Sequence, residues 1–186
     1  MTGYAFCGSF CTLSDSFAQL EQLTREGLTV QPIMSDAVYS TDTRFGTAQM
    51  WQDRARRLCG RDIIHTIPEA EPLGPKTPLE LLILCPCTGN TLAKLANGIT
   101  DTPVCMAAKA HLRTDRPLVI ALASNDAMSA NLKNIATLLT RKSVYFVPMR
   151  QDDPVGKPHS LVADFTRLGE TVQAAREGRQ VRPLFV

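Results

Sequence analysis

Short apolar runs recur along the chain and predict the strands of a sheet. Their length and their lack of alternating polar residues are typical of strands that are buried on both faces. The five runs are residues 4–7, 28–34, 81–85, 118–122 and 143–147. Pro86 follows the third run, and because proline has no N–H to donate, we expect the third strand to end there.

Between these runs, apolar residues recur at the three- and four-residue spacing of amphipathic helices. Helices are predicted over residues 13–26, 47–58, 92–99, 102–112, 130–141 and 161–178. Gly27 and Gly60 are well placed to end the first two. Residues 65–78 contain four prolines, so this connection should contain neither a regular helix nor a central strand.

Strands that alternate with helices predict an α/β fold. We expect one domain over residues 1–186, with a mostly parallel sheet of five to six strands between two layers of helices. This arrangement is a Rossmann-like (flavodoxin-like) three-layer sandwich. In such a sheet, ligands bind at the carboxyl ends of the strands.

Composition and charge exclude several classes of protein. The chain is 44% hydrophobic and 20% charged, which is typical of globular proteins. A net charge of +2 gives no indication of binding to nucleic acid or to an anionic membrane. No apolar stretch is long enough to span a bilayer and no charged-then-apolar leader opens the chain, so we expect a soluble protein of the cytoplasm.

The chain has six cysteines, but they lack the spacing of a metal site. None forms a C-x-x-C pair, and the three histidines lie far from them in sequence. We therefore expect no metal, and structural thiols in a reducing compartment. Cys11 and Cys87 follow strands, and we expect both to line one site.

Small polar residues follow four of the predicted strands: Ser9, Ser35, Thr88 and Ser124. At the edge where these strands end, backbone N–H groups and hydroxyls suit an anion such as a phosphate. The first loop lacks the glycine pattern of dinucleotide folds, so it is weak evidence for NAD. The alternative for residues 86–91 is an ordinary loop in which Thr88 or Asn90 caps a helix.

Residues 86–101, PCTGNTLAKLANGITD, resemble the signature of the flavoprotein superfamily. That superfamily includes flavin-dependent cysteine decarboxylases and flavin prenyltransferases, which bind FMN on a Rossmann-like domain near a subunit interface. The resemblance implies FMN as cofactor and a homo-oligomer. The cofactor-binding residues that it implies are Gly8, Ser9, Ser35, Cys87, Thr88, Gly89, Asn90, Thr91, Ser124 and Asn125.

A narrower resemblance is to the family of dipicolinate synthase B subunits, and it extends from one end of the chain to the other. The segments that carry it include residues 40–46, 70–76, 106–110, 124–127 and 151–154. It implies an oxidoreductase that acts with an A subunit, which carries a nicotinamide-type Rossmann domain. The expected reaction converts dihydrodipicolinate to dipicolinate (pyridine-2,6-dicarboxylate) in the mother cell of a sporulating bacterium.

Two departures from the superfamily bear on the chemistry. Residues 74–77, GPKT, stand where the decarboxylases have the histidine of a Pro-His-Ile segment, and Met106 stands near the place of a prenyl-phosphate arginine. Both of those activities are therefore disfavoured. Arg44, Lys76 and Lys109 are the candidates for binding the substrate's carboxylates.

No single general base stands out in the sequence, although Asp126 or His159 is suited to that role. The alternative function is that of a non-catalytic, flavin- or ligand-binding partner of the A subunit. A third is a flavin-dependent decarboxylase with altered ligands.

Overall fold

The structure is a computed structural model of residues 1–186, and it contains one seven-stranded sheet. The strands are β1 (Thr2–Phe6), β2 (Val30–Met34), β3 (Leu81–Cys87), β4 (Leu118–Ser124), β5 (Val144–Phe146), β6 (Met149–Arg150) and β7 (Leu161–Ala163). Their order is β2-β1-β3-β4-β7-β6, and β5 pairs with β4 as well. The strands β1 to β5 are mutually parallel, whereas β7 is antiparallel to both β4 and β6.

Eight helices accompany the sheet. They are α1 (Leu13–Arg25), α2 (Asp36–Ser40), α3 (Ala48–Cys59), α4 (Ile67–Ala70), α5 (Gly89–Ala96), α6 (Pro103–Leu112), α7 (Leu132–Leu139) and α8 (Leu168–Arg176). No helix of the chain is both long enough and apolar enough to cross a membrane.

The sheet divides the core into two halves, so the molecule has three layers. Helices α1, α3 and α8 cover one face, where Phe17 stacks between Phe6 at 4.4 Å and Trp51 at 5.0 Å. Helices α4 to α7 cover the other face. Every residue of β1 to β4 is buried, as the continuous apolar runs predicted. The predicted fold class is confirmed.

The prediction that the third strand ends at Pro86 is wrong. Strand β3 continues to Cys87, the Cys85–Pro86 peptide is cis, and the pairing with β4 shifts register between Leu84 and Cys87. Proline is tolerated here because the ladder needs only its carbonyl: the Cys7 N–H donates to the Pro86 oxygen at 3.1 Å.

The prediction of one helix over residues 161–178 is also wrong at its start. Residues Leu161–Ala163 form β7, which pairs Val162 with Ala123 and Leu161 with Ser124 at the end of β4. A hydrogen bond from the Thr166 N–H to the Asp164 side chain then begins a 3-10 turn, and α8 starts only at Leu168. The hairpin of β6 and β7 raises the strand count above the five to six that the sequence predicted.

The proline-rich connection contains one short helix that the sequence analysis excluded. Thr66 and Glu69 form a reciprocal capping box around α4, and Pro68 lies in its first turn. Proline is compatible with that position because the first N–H groups of a helix have no intrahelical acceptor.

Candidate functional site

A cavity of about 730 Å³ opens at the carboxyl edge of the sheet. Its volume lies within the range of small-molecule sites, which is about 300–1,000 Å³. Five segments form its walls, and they are residues 8–12, 44–45, 88–90 and 123–126 together with the β6–β7 hairpin. The cavity therefore lies where ligands of open α/β sheets bind.

The wall formed by residues 88–90 is the N-terminus of α5. Thr88 is the N-cap, and its Oγ1 accepts the Thr91 N–H at 3.3 Å. The next N–H groups, of Gly89 and Asn90, come too early in the helix to have an intrahelical acceptor. Both residues line the cavity. This wall presents the positive end of a helix dipole, which suits an anionic group.

Gly89 is required there by space rather than by backbone conformation. A Cβ at this position would lie 2.5 Å from Ser124 Oγ, 2.7 Å from Asn131 Nδ2 and 2.8 Å from Asp126 Oδ1. The loop after β4 thus packs directly on the first residue of α5. Only glycine permits this approach.

The three groups that crowd Gly89 form a hydrogen-bonded cluster. Ser124 Oγ donates to Asp126 Oδ1 at 2.5 Å, and the Asn131 amide donates to both carboxylate oxygens at 2.9 Å. Asn134 in turn donates to Asn131 Oδ1 at 2.8 Å. The hydroxyl of Ser124 and the amide of Asn131 hold the pKa of Asp126 below its usual range. Asp126 is therefore a carboxylate and a weak base near neutral pH.

The loop after β1 offers a second polar wall. Thr12 Oγ1 lies 3.0 Å from both the carbonyl oxygen and the hydroxyl of Ser9. As an acceptor from Thr12, the Ser9 hydroxyl keeps its own proton available for a ligand. Cys11 is exposed and lines the same wall, as expected.

Two cations line the cavity, and they have different surroundings. Arg44 lies over the ring of Phe45, 4.8 Å from its centroid, on the loop between α2 and α3. Lys157 lies on the β6–β7 hairpin, and its Nζ is 3.0 Å from Asp152. Lys157 and Asp152 were not among the predicted site residues.

Residues 4–173 match the sequence profile of a family described as Flavoprotein. The chain belongs to the flavoprotein family. The B subunit of dipicolinate synthase from Bacillus subtilis (strain 168) is similar to this flavoprotein, with 43% identity over 184 residues, which cover 99% of this chain and 92% of the relative. The predicted resemblance to dipicolinate synthase B subunits is thereby confirmed.

Solved structures support the same relationship. The crystal structure of the dipicolinate synthase B subunit from Bacillus halodurans C superposes on this flavoprotein with a TM-score of 0.91 at 40% identity, covering 100% of this chain and 95% of that one. The FMN-dependent cysteine decarboxylase SpaF superposes with a TM-score of 0.70 at 19% identity, covering 95% of both chains. This second likeness is one of fold.

The residues of this flavoprotein fit a flavin nucleotide that carries a phosphate. The α5 N-terminus and the Ser9 hydroxyl supply donors for an anion, and both line the cavity. A Cβ at Gly8 would lie 3.2 Å from Ala37 Cβ, so the first loop is close-packed as well. Thr88, Gly89 and Asn90 would hold the phosphate side.

The cavity brings together most of the predicted site residues. Those that line it are Gly8, Ser9, Arg44, Thr88, Gly89, Asn90, Ser124 and Asn125. Three others do not line it. Cys87 is fully buried and donates weakly to the Thr88 oxygen at 3.6 Å, so the prediction that it lines the site is wrong. Thr91 is hydrogen-bonded to Thr88, and Ser35 caps α2.

The two predicted lysines lie elsewhere in the chain. Lys76 is exposed on the connection between α4 and β3. Lys109 lies on α6 and lines a separate cavity of about 130 Å³. Their assignment to substrate carboxylates stays a prediction, as does each cofactor contact.

Proposed function

We propose that this flavoprotein binds FMN and acts as the B subunit of a two-subunit dipicolinate synthase, which oxidises dihydrodipicolinate to dipicolinate in the mother cell of a sporulating bacterium. The observation that carries this proposal is one cavity that combines an anion-binding helix end with Arg44. The helix end suits the phosphate of FMN, and Arg44 suits a carboxylate of the substrate. The 43% identity to the B subunit of a dipicolinate synthase supports the choice of substrate.

The reaction removes two hydrogens from the dihydropyridine ring, as a hydride and a proton. Bound FMN supplies a two-electron acceptor. The chain's own contribution is binding and orientation: the guanidinium of Arg44 matches a carboxylate with two parallel donors. Lys76 and Lys109 lie outside the cavity of their own chain, so either would reach the substrate only across a subunit contact, as in a homo-oligomer.

The lack of an efficient proton acceptor in the cavity favours a second candidate function. Asp126, the carboxylate beside Ser124, has a lowered pKa, and the exposed His159 does not line the cavity. A group with a pKa far below the working pH is an inefficient base. This observation favours a non-catalytic role, in which the chain holds flavin or ligand for an A subunit that performs the redox chemistry with a nicotinamide nucleotide.

The visible absorption spectrum distinguishes the two functions. The purified chain is saturated with FMN and made anaerobic, and freshly prepared dihydrodipicolinate is added with and without the A subunit. Bleaching of the flavin band as dipicolinate appears supports the oxidoreductase. Bound flavin that stays oxidised while the A subunit makes dipicolinate supports the non-catalytic role. A chain that takes up no FMN refutes both forms of the flavin proposal.

A further inference from the structure

The loop between β6 and β7 carries Lys157, which lines the cavity. The Asp153 side chain accepts the Gly156 N–H at 2.8 Å, and the Asp153 carbonyl accepts the Lys157 N–H at 2.8 Å. A Cβ at Gly156 would press on the Asp153 carboxylate, so a side chain there would displace the acceptor of this turn. The backbone of Lys157 is thereby fixed within the loop.

The same loop is joined to the wall that carries Ser124 and Asp126. The Met128 N–H donates to the His159 carbonyl at 2.9 Å, and the Ser160 N–H donates to the Lys157 carbonyl at 3.0 Å. These bonds place the backbone of Lys157 beside that wall. Its side chain is 50% exposed, so a ligand in the solvent can reach it.

The only hydrogen-bond partner of the Lys157 ammonium within the chain is Asp152, which also lines the cavity and is itself 32% exposed. Exposed pairs of this kind are weak, because water and salt compete with them. A ligand carboxylate that enters the cavity can thus replace Asp152 as the partner of Lys157. Arg44 is the other cation of the cavity, on a separate segment of the chain.

We propose that Lys157 is a specificity-determining residue that binds one carboxylate of a planar dicarboxylate ligand, in exchange for Asp152, while Arg44 binds the other. This inference rests on the proposed function, since it concerns the substrate of the same cavity. Two cations on separate segments favour a ligand with two carboxylates over one with a single carboxylate. Asp152 acts as a competitor, which keeps the lysine oriented when no ligand is bound.

If a ligand carboxylate replaces Asp152 as the partner of Lys157, two substitutions should change the affinity for the ligand in opposite directions. Lys157→Gln removes a charged partner and should weaken binding of pyridine-2,6-dicarboxylate about tenfold. It should leave binding of pyridine-2-carboxylate nearly unchanged. Asp152→Asn removes the competitor and should strengthen binding of the dicarboxylate about two- to fivefold. A lysine with a merely structural role would give losses in both variants.

Isothermal titration calorimetry of the full-length, FMN-saturated chain with each acid measures these affinities. Lys142→Gln is the matched control, because Lys142 forms an exposed pair with Asp115 at 3.3 Å and does not line the cavity. Flavin fluorescence and circular dichroism establish that each variant binds FMN and is folded.

The outcomes separate the inference from the proposed function. A wild-type chain that prefers the dicarboxylate, together with a Lys157→Gln variant that has lost the preference, supports the inference. A preference that persists in Lys157→Gln, or an Asp152→Asn variant that binds more weakly, overturns the inference alone. An FMN-loaded wild-type chain that binds neither acid overturns the proposed substrate and the inference with it.

Discussion

Gly89→Ala tests whether the contact between α5 and the loop after β4 builds the site. The added methyl group would lie within 2.8 Å of three polar atoms, on Ser124, Asn131 and Asp126. Those atoms are bonded to one another at 2.5 and 2.9 Å, so none can move without lengthening a hydrogen bond to the carboxylate. The first turn of α5 must therefore shift, or the cluster must open.

Two opposing contributions set the expected change in the free energy of unfolding of Gly89→Ala. Overpacking of a close-packed site costs about 1–3 kcal/mol. Alanine recovers up to about 1 kcal/mol of helix propensity, and less than that at the first residue of a helix. We expect a net loss of about 1–2 kcal/mol in the free energy of unfolding. For a chain of this size, each kcal/mol lowers Tm by about 2–4 °C. FMN affinity should fall as well, since Ser124 and Asp126 line the cavity.

Urea unfolding followed by circular dichroism measures the stability, and flavin fluorescence titration measures the affinity for FMN. Gly169→Ala is the matched control: Gly169 also lies in the first turn of a helix, α8, but a Cβ there meets nothing within 4 Å. That variant should be neutral or slightly more stable. The reasoning is refuted if Gly89→Ala matches Gly169→Ala in both stability and FMN binding.

Two further predictions concern a helix cap and a buried histidine. Thr88→Ala should cost about 1 kcal/mol by removing the cap of α5, whereas Thr88→Ser should cost little; equal urea midpoints for the two variants would contradict this. His111 is fully buried with its Nε2 2.9 Å from the Pro117 oxygen and its Nδ1 unpaired, and burial lowers its pKa. The histidine of the unfolded chain, with a pKa of about 6.5, binds a proton more readily than the buried one. The free energy of unfolding should therefore fall as the pH drops below that value. Urea unfolding at about pH 7.5 and 5.5 measures the fall, and His111→Gln should reduce it; an equal fall in the variant would argue against His111 as the cause.

The sequence predicted the parallel part of the sheet because its signals are local. Buried parallel strands appear as continuous apolar runs, and the polar residues that follow them, Ser9 and Thr88 among them, must meet at one edge. For this reason, eight predicted site residues line one cavity. The identity of the anion came from resemblance, because loop chemistry alone does not distinguish one phosphate from another.

The hairpin could not be predicted in the same way. The apolar residues 161–163 are compatible with the pattern of a helix and with that of a strand. Only their pairing with Ala123 and Ser124, about forty residues earlier in the chain, decides for the strand. Lys157 and Asp152 reach the cavity through that pairing, so they were missed. The burial of Cys87 could not be predicted for a related reason. The register shift after Leu84 decides which face of the sheet its thiol occupies, and that shift depends on the pairing with β4.

The short strands of the hairpin also bear on how a ligand enters and leaves. Strand β7 meets β4 through two residue pairs and β6 through two more, whereas each neighbouring pair among β1 to β4 is joined through four or five. A segment with so few backbone bonds opens at a lower free energy than the rest of the sheet. The wall that carries Lys157 can therefore fluctuate while the N-terminus of α5, which follows β3, stays in place. If the chain binds a flavin and a small acid as proposed, exchange of the acid need not require release of the flavin, and a bound acid should slow amide hydrogen exchange in the hairpin more than in β1 or β3.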